Sequence, residues 1–346
     1  MKRSVARLLL QMALLALAHV HLAAAMPQQS GATASVLTGE ALEPDTKSSS
    51  RFATLPQATA SFGAVTSDGW LYIYGGHIAP THNYFIEAVS GRFHRLRLTG
   101  EAVWEELPGG PGLQGMNLVA HNGKIYRIGG MAPRNRRGEL PDNHSVADVA
   151  RFDPITKKWE TLAPLPEPRS SHDVTLIGDQ LYVTGGWNMT GKSQTWADTL
   201  LVMDLSAASP SWTTLPQPFK RRALMTAGVN GKLYVVGGVN ESFGIERSVS
   251  IYDPATKKWS EGPQLPDGPT TGFAPAVVIH KGRLYASISD GALLRLTEDR
   301  GAWEKVGRST PRAAHRLAAL DNRLLVIGGA VNGVSSDLIE AVEIKD

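Results

Sequence analysis

The 346-residue sequence contains no cysteine, and this absence excludes several kinds of chemistry at once. A chain without thiols has no disulfide to stabilise its fold, no thiolate nucleophile and no cysteine ligand for a metal or a redox centre. Its stability must therefore come from packing and hydrogen bonding. Hydrophobic residues make up 42% of the sequence, which is enough for a sizeable core.

The sequence also lacks an apolar run long enough to cross a membrane. A membrane helix needs about 18 consecutive apolar residues, whereas the apolar run at 8–18 is shorter and contains Gln11. Three basic residues precede this run, and the small residues 23–25 follow it as a cleavage site. This arrangement is typical of a secretory signal peptide at 1–25. We therefore expect a periplasmic or secreted protein without a membrane anchor.

Without the signal peptide, the sequence has no excess of positive or negative charge. The precursor has 35 basic and 32 acidic residues, and three of the basic ones, Lys2, Arg3 and Arg7, belong to the signal. The mature chain therefore has a net charge near zero, which gives no electrostatic reason to expect a nucleic-acid partner. The sequence also has no His-Glu-x-x-His segment and no close acidic cluster, so we predict no metal and no cofactor. We expect a monomer.

What the sequence does contain is an internal repeat. An apolar residue, a tyrosine, two further residues and a glycine pair recur at intervals of 40 to 56 residues. The copies lie at 71–76, 125–130, 181–186 and 233–238, with a degenerate copy at 284–289 and a last copy, without tyrosine, at 324–329. A tryptophan follows each of the first five copies, at Trp104, Trp159, Trp212, Trp259 and Trp303.

Each repeat is long enough for four short strands, which we label a to d. Strand b carries the tyrosine and ends in the glycine pair, strand c ends in an Asp turn such as Asp153-Pro154, and strand d carries the tryptophan. One such sheet cannot bury both faces, whereas sheets stacked around an axis can. The pattern resembles kelch repeats and covers 51–346, so the resemblance implies an all-β fold, a six-bladed kelch-type β-propeller.

The last repeat indicates how the ring closes. After Gly329 there is room for one more strand, but no tryptophan strand follows. Residues 51–56 have the pattern of a strand d in which Phe52 replaces the tryptophan. We therefore predict that the N-terminal strand completes the last blade without a covalent link. The preceding residues 26–50 are rich in Ser, Thr and Ala, and we interpret them as a flexible leader.

Candidate functional residues lie first on the loops between strands b and c. These loops are long in blades one to three, at 77–91, 131–146 and 187–196, and shorter in the others. One side of one propeller face should therefore be walled, which is typical of a binding cleft. The wall offers cations, an aromatic ring and an amide that could bind a carboxylated sugar or an acidic peptide. The candidates are Arg134, Arg136, Arg137, Trp187 and Asn188. The alternative is an ordinary solvated loop.

A second group of candidates precedes strand a, in the segment that we call the lead-in. Its members are Arg169, Arg221 and Arg312, and two of the three belong to a Pro-Arg-x-x-His pattern that ends at His172 and His315. The resemblance to kelch interaction domains implies that lead-in arginines help to line a ligand pocket. The alternative is a structural feature of the repeat, in which these side chains bond neighbouring loops.

Two functions from different classes remain open. The first is a binding protein that holds a carbohydrate or a protein segment at one propeller face and performs no chemistry. The second is an enzyme, because the layout is similar to that of bacterial N-acetylneuraminate epimerase, which interconverts sialic acid anomers. That chemistry needs a cation for the sugar carboxylate and a proton-transfer group. The candidates for proton transfer are Glu139, His144 and Glu241.

Overall fold

The computed structural model describes residues 50–344. The predicted signal peptide at 1–25 lies outside the described residues, and so does the predicted leader apart from Ser50, which begins the first strand. Within 50–344, no helix is long and apolar enough to cross a membrane.

Six four-stranded antiparallel sheets form the blades of a propeller. Blade 1 comprises Gly63–Ser67, Trp70–His77, Val89–Arg97 and Trp104–Leu107, and blade 2 comprises Asn117–His121, Lys124–Ile128, Val149–Asp153 and Lys158–Thr161. Blade 3 comprises Asp173–Ile177, Gln180–Thr184, Thr199–Asp204 and Trp212–Pro216, and blade 4 comprises Met225–Val229, Lys232–Val236, Val249–Asp253 and Lys258–Gly262. Blade 5 comprises Ala276–His280, Arg283–Ser287, Ala292–Leu296 and Trp303–Arg308, and blade 6 comprises Arg316–Leu320, Arg323–Ile327, Leu338–Glu343 and Ser50–Thr54. The predicted all-β, six-bladed propeller is confirmed.

The ring closes at both its inner and its outer edge. Strand a of each blade contacts strand a of the next, and the series returns from blade 6 to blade 1, so these strands line the axis. At the outer edge, Ser50–Thr54 pairs antiparallel with Leu338–Glu343, with Thr54 opposite Leu338. The N-terminal strand therefore completes the last blade, as the sequence predicts.

The repeated tyrosines and tryptophans pack between neighbouring blades. Tyr72 and Tyr74 of blade 1 share one buried cluster with Phe152 and Trp159 of blade 2. Large aromatic surfaces removed from water in this way contribute much of the stability of a core. Each strand-d tryptophan also donates its Nε1–H to a backbone carbonyl of the preceding blade, at 2.7 to 3.3 Å. The five pairs are Trp104 with Thr54, Trp159 with Pro108, Trp212 with Ala163, Trp259 with Pro216 and Trp303 with Pro263.

The glycine pairs lie where the end of strand b meets a lead-in segment. Gly75 and Gly76 have φ values of 68° and 99°, a region that glycine adopts without strain. A Cβ on Gly76 would lie 2.6 Å from the Cβ of Phe62, so a larger residue could not fit. In the five blades that have the glycine pair, it brings the b–c loop close to the lead-in segment of the same blade.

The long b–c loops contain regular structure that the sequence did not predict. Met131–Pro133, Asn143–Ser145, Trp187–Gly191 and Ser193–Trp196 form a further four-stranded sheet that joins the loops of blades 2 and 3. Arg221–Arg222 pairs with Val239–Asn240 in blade 4, Ala330–Val331 pairs with Val334–Ser335 in blade 6, and a single 3₁₀ turn spans Ile86–Ala88 in blade 1. These pairings stiffen one face of the propeller.

Candidate ligand-binding site

Six lead-in segments meet around the axis in a closed ring of backbone hydrogen bonds. Each contributes one residue with φ between 42° and 62°, two positions before the first residue of strand a. The N–H of each donates to the carbonyl oxygen of its counterpart in the preceding blade, at 2.6 to 3.4 Å. The six residues, which we call the collar, are Ser61, Gly115, Ser171, Ala223, Ala274 and Ala314. The collar forms the floor of a cavity.

The cavity above the collar has a volume of about 450 Å³, which is the size of a small-molecule site. Its floor consists of collar residues, and its walls come from the b–c loops and lead-in segments. The wall side chains include His77, His82, Tyr84, Trp187 and Arg222. All six blades therefore contribute to one opening at the mouth of the channel.

The rim of the cavity is uneven, as the loop lengths predict. The loop of blade 1 is joined to that of blade 6 by the Ser335 hydroxyl, which donates to the carbonyl of His77 at 2.8 Å. It is joined to that of blade 2 by Asn135, whose Nδ2 donates to the carbonyl of Tyr84 at 2.7 Å. Blade 5 has only a short turn from Ile288 to Ala292 at this face, so the wall is lowest there.

Arg222 supplies the charge of the cavity. It is the only Arg, Lys, Asp or Glu among the described lining residues, and no carboxylate within 50–344 pairs with it. Its guanidinium carbon lies 4.2 Å from the ring centroid of Trp187. Burial lowers the pKa of Arg222, although a guanidinium remains protonated at neutral pH. The cavity therefore presents a cation supported by an aromatic face and free to meet an anion.

Two carboxamides in the cavity wall lack partners. Gln114 and Asn143 line the cavity and are 7% and 6% exposed. Neither side chain makes a hydrogen bond to any other part of the described chain, and the Gln114 Oε1 and Asn143 Oδ1 atoms are buried. Buried amides in folded proteins normally have hydrogen-bond partners. Their state here indicates a polar site suited to a ligand or to water.

Tyr84 lies between the two histidines of the wall and Arg222. Its ring centroid is 5.5 Å from that of His77 and 6.3 Å from that of His82. Burial raises the pKa of the Tyr84 hydroxyl, and the charge of Arg222 opposes this rise. The hydroxyl is therefore protonated at neutral pH and can donate a hydrogen bond.

The structure places one of the five loop candidates in the cavity lining and the other four outside it. Trp187 lines the cavity, whereas its neighbour Asn188 does not. Arg134, Arg136 and Arg137 are exposed and lie outside the cavity lining. Arg137 stacks 4.5 Å above the ring of Phe85 and borders a separate surface depression. A ligand-binding role for these three arginines stays a prediction.

The lead-in arginines are structural clamps in this fold. Arg169, Arg221 and Arg312 are 1% to 3% exposed and do not line the cavity. The guanidinium of each donates a hydrogen bond to a backbone carbonyl of its own blade. Arg169 donates to the carbonyl of Thr199 at 2.8 Å, and Arg221 donates to that of Gly237 at 2.9 Å. Burial lowers the pKa of each to about 10. These contacts are those expected for a structural feature of the repeat, and a ligand-binding role for the three arginines stays a prediction.

The repeat pattern singles out Arg221 and not its neighbour Arg222. The two residues form a short strand, and successive side chains of a strand point to opposite sides. Because Arg221 points into the blade, Arg222 faces the cavity. Two adjacent arginines were the only sign in the sequence that a cation could face the cavity. The strand that orients them forms by pairing with Val239–Asn240, and the repeat pattern does not predict this pairing.

The proposed proton-transfer groups lie outside the cavity lining. The Glu139 carboxylate accepts the backbone N–H of Arg136 at 2.6 Å. His144 contacts the Asp142 carboxylate at 2.7 Å, and Glu241 lies 3.4 Å from the ammonium of Lys220. The histidines that do line the cavity are His77 and His82.

The fold and the repeated motif define a kelch-type propeller. The chain belongs to the KLHDC2/KLHL20/DRC7 Kelch-repeats domain family, whose description it matches over residues 61–288. Domains of this kind generally bind protein partners.

Individual relatives share this domain at low identity. Mouse Kelch-like protein 35 is 26% identical over 229 residues, which cover 66% of this chain and 35% of that protein. Kelch-like protein terF of Aspergillus terreus is 34% identical over 139 residues, 36% of this chain and 29% of that protein. The N-(sulfonatooxy)prop-2-enimidothioate sulfolyase of Thlaspi arvense is 27% identical over 256 residues, 63% of this chain and 64% of that protein. The chain thus spans about a third of the length of the first two.

A solved structure, described as the structure of YjhT, has the same fold. It superimposes with a TM-score of 0.67 at 16% sequence identity and covers 85% of this chain and 97% of its own. At this identity the likeness concerns the fold alone.

Proposed function

We propose that this chain is an exported binding protein that holds the anionic group of a carbohydrate or protein ligand in the cavity above the collar. The observation that carries the proposal is Arg222, a partly buried cation without a carboxylate partner in the described chain, in a cavity of about 450 Å³. Export is proposed from the signal peptide pattern at 1–25.

The electrostatics of the cavity favour an anion. A cation withdrawn from water loses hydration, and an ionised ligand group restores favourable interactions through charge-assisted hydrogen bonds. The unpartnered amides of Gln114 and Asn143 and the hydroxyl of Tyr84 lie around the same space. They can bond the polar groups that flank the anion.

The first test identifies ligands and then removes the cation. Purified protein comprising 26–346 is applied to glycan and peptide arrays, and the affinity of each captured ligand is measured by calorimetry. Arg222→Ala should weaken binding at least about tenfold, because removal of one partner from a hydrogen-bonded charge pair usually costs 2 kcal/mol or more. Arg97→Ala is the matched control, since Arg97 stacks 4.8 Å above Trp70 away from the cavity.

The array result can contradict the proposal in two ways. If the arrays capture only neutral or cationic ligands, the cavity does not select an anionic group and this part of the proposal is wrong. If wild type and Arg222→Ala bind an acidic ligand with equal affinity, Arg222 does not bind the anionic group.

Catalysis on a sugar acid is the second candidate function. The observation that favours it is the presence of His77 and His82 in the same cavity as Arg222, because a histidine can transfer protons at neutral pH. The His77 Nε2 is within 3.1 Å of the carbonyl of Pro80, which leaves Nδ1 as its free acceptor. The test is NMR of α- and β-sialic acid with purified protein, and no acceleration of anomer exchange would end this hypothesis.

A further inference from the structure

Phe243, on the b–c loop of blade 4, has a backbone conformation that is unusual for its size. Its φ is 61°, in the left-handed region that bulky residues rarely adopt, and such strain persists only where the surrounding structure enforces it. The side chain is 57% exposed. A strained backbone that holds a large apolar side chain in water has no benefit for folding, so another role is indicated.

Asn240 enforces this conformation. Its Oδ1 accepts the backbone N–H groups of Ser242 and Gly244 at 3.0 and 2.9 Å, and its Nδ2 donates to the Glu246 carboxylate at 2.6 Å. The N–H of Phe243 in turn donates to the carbonyl of Asn240 at 2.9 Å. One side chain thus fixes both arms of the loop.

The fixed loop places Phe243 beside the cavity cation. The Phe243 ring lies edge to face with Trp196, with centroids 5.7 Å apart, and Trp196 packs 5.3 Å from Trp187. The guanidinium carbon of Arg222 is 6.0 Å from the Phe243 ring. The three rings form an aromatic wall that begins at the cavity and ends at an exposed edge.

We propose that Phe243 determines ligand specificity by presenting an apolar surface next to Arg222, and that Asn240 is the positioning residue that holds it there. The ligand therefore carries a flat apolar group beside its anionic group. This inference rests on the proposed function, because it uses Arg222 as the anion site.

The test compares two small carboxylates that differ by a ring. Benzoate and acetate are titrated into protein comprising 26–346, and the tryptophan fluorescence of the aromatic wall reports binding. Wild type should bind benzoate about tenfold more tightly than acetate, and Phe243→Ala should lower this ratio to within twofold of one.

A double-mutant cycle separates positioning from general stability. Asn240→Ala should lower the benzoate-to-acetate ratio in wild type and leave it unchanged in the Phe243→Ala background. Asp253→Ala is the matched control, because Asp253 accepts the N–H groups of Ala255 and Thr256 in a turn at the opposite face. It removes a similar loop bond, together with an ion pair to Lys232, and should leave the ratio at its wild-type value.

The outcomes distinguish this inference from the proposed function. Binding of both carboxylates with equal affinity, or an equal effect of Asn240→Ala with and without Phe243, overturns the inference alone. Failure of both carboxylates to bind wild type, or binding that Arg222→Ala does not weaken, overturns the proposed function and the inference with it.

Discussion

Two histidines beneath the collar are held without charge. His172 and His315 are 3% and 1% exposed. Burial, together with the charges of neighbouring arginines, lowers the pKa of each to about 3. His172 bonds the carbonyl of Ile128, whereas neither ring nitrogen of His315 has a partner within 50–344. The equivalent position of blade 4 holds Leu224, so an apolar residue suits this place in the repeat.

The buried histidines should make stability fall in weak acid. A histidine of the unfolded chain binds its proton near pH 6.5, whereas the folded state binds it near pH 3. The unfolded state therefore holds more protons between these values, and stability present above pH 6.5 is lost as the pH falls towards 3. His315→Leu should reduce this slope by up to about 1.4 kcal/mol per pH unit. Urea unfolding between pH 7.5 and 4 measures the slope.

The control for this prediction is an exposed histidine. His82 is exposed and has a φ of 67°, which asparagine tolerates. His82→Asn should leave the slope at its wild-type value. A His315→Leu variant with the same slope as wild type would show that His315 titrates normally in the folded protein.

At the scale of the element, the closing strand Ser50–Thr54 joins the two ends of the described chain. It pairs only with Leu338–Glu343, and the Thr54 carbonyl accepts the indole N–H of Trp104. Phe52 and Ala53 pack against the cluster that contains Leu325 and Ile339. This strand therefore links blade 6 to blade 1 through backbone, indole and apolar contacts.

Removal of the closing strand should destabilise the whole ring. A chain that begins at residue 56 exposes the edge of Leu338–Glu343 and part of the last core cluster, which should cost several kcal/mol. The measurement is the urea midpoint of purified protein. A chain that begins at residue 47 retains the strand and is the control. Equal midpoints for the two chains would contradict a stabilising role for the strand.

The sequence predicted the elements that repeat and missed those that do not. The tyrosine, the glycine pair or both located strand b in each blade, and Phe52 located the closing strand, because these residues occupy equivalent places in the repeat. The sheet that joins Asn143–Ser145 to Trp187–Gly191 depends on two loops of different blades that only the folded ring brings together. Arg222 and Phe243 were missed for the same reason, whereas Trp187 could be predicted as a large aromatic residue on a long loop.

At the scale of the whole molecule, Arg316 fills the axis beneath the collar. Its guanidinium reaches from blade 6 to three other blades, donating to the carbonyls of Phe62 and Met116 at 2.7 and 2.9 Å and contacting the Met225 sulfur at 2.9 Å. Asp173, also fully buried, accepts from Asn117 and Thr226. Burial raises the pKa of Asp173, and the charge of Arg316 opposes the rise. The charge of Arg316 thus favours the ionised form of Asp173.

Loss of the Arg316 cation alone should destabilise the fold more than loss of both the Arg316 and the Asp173 charges. Arg316→Met removes the positive charge that favours ionised Asp173 and leaves the carbonyls of Phe62 and Met116 without this donor, so it should cost about 1–3 kcal/mol or more. The double variant Asp173→Asn with Arg316→Met should recover part of that loss, as measured by urea unfolding. A double variant as unstable as the sum of the single ones would show that the two groups do not interact.

The collar and Arg316 together determine how a ligand can enter and leave the cavity. The cavity is open at one end only, because the axis below its floor is occupied by Arg316, whose guanidinium contacts three other blades. A ligand held as proposed enters and leaves by the same opening, and no strand of a polymer can be threaded through the ring. A long partner must offer an end, a bend or a protruding group. For a ligand held as proposed, the residence time depends on the rim, where Phe243 and the loops of blades 1 to 3 lie beside the opening.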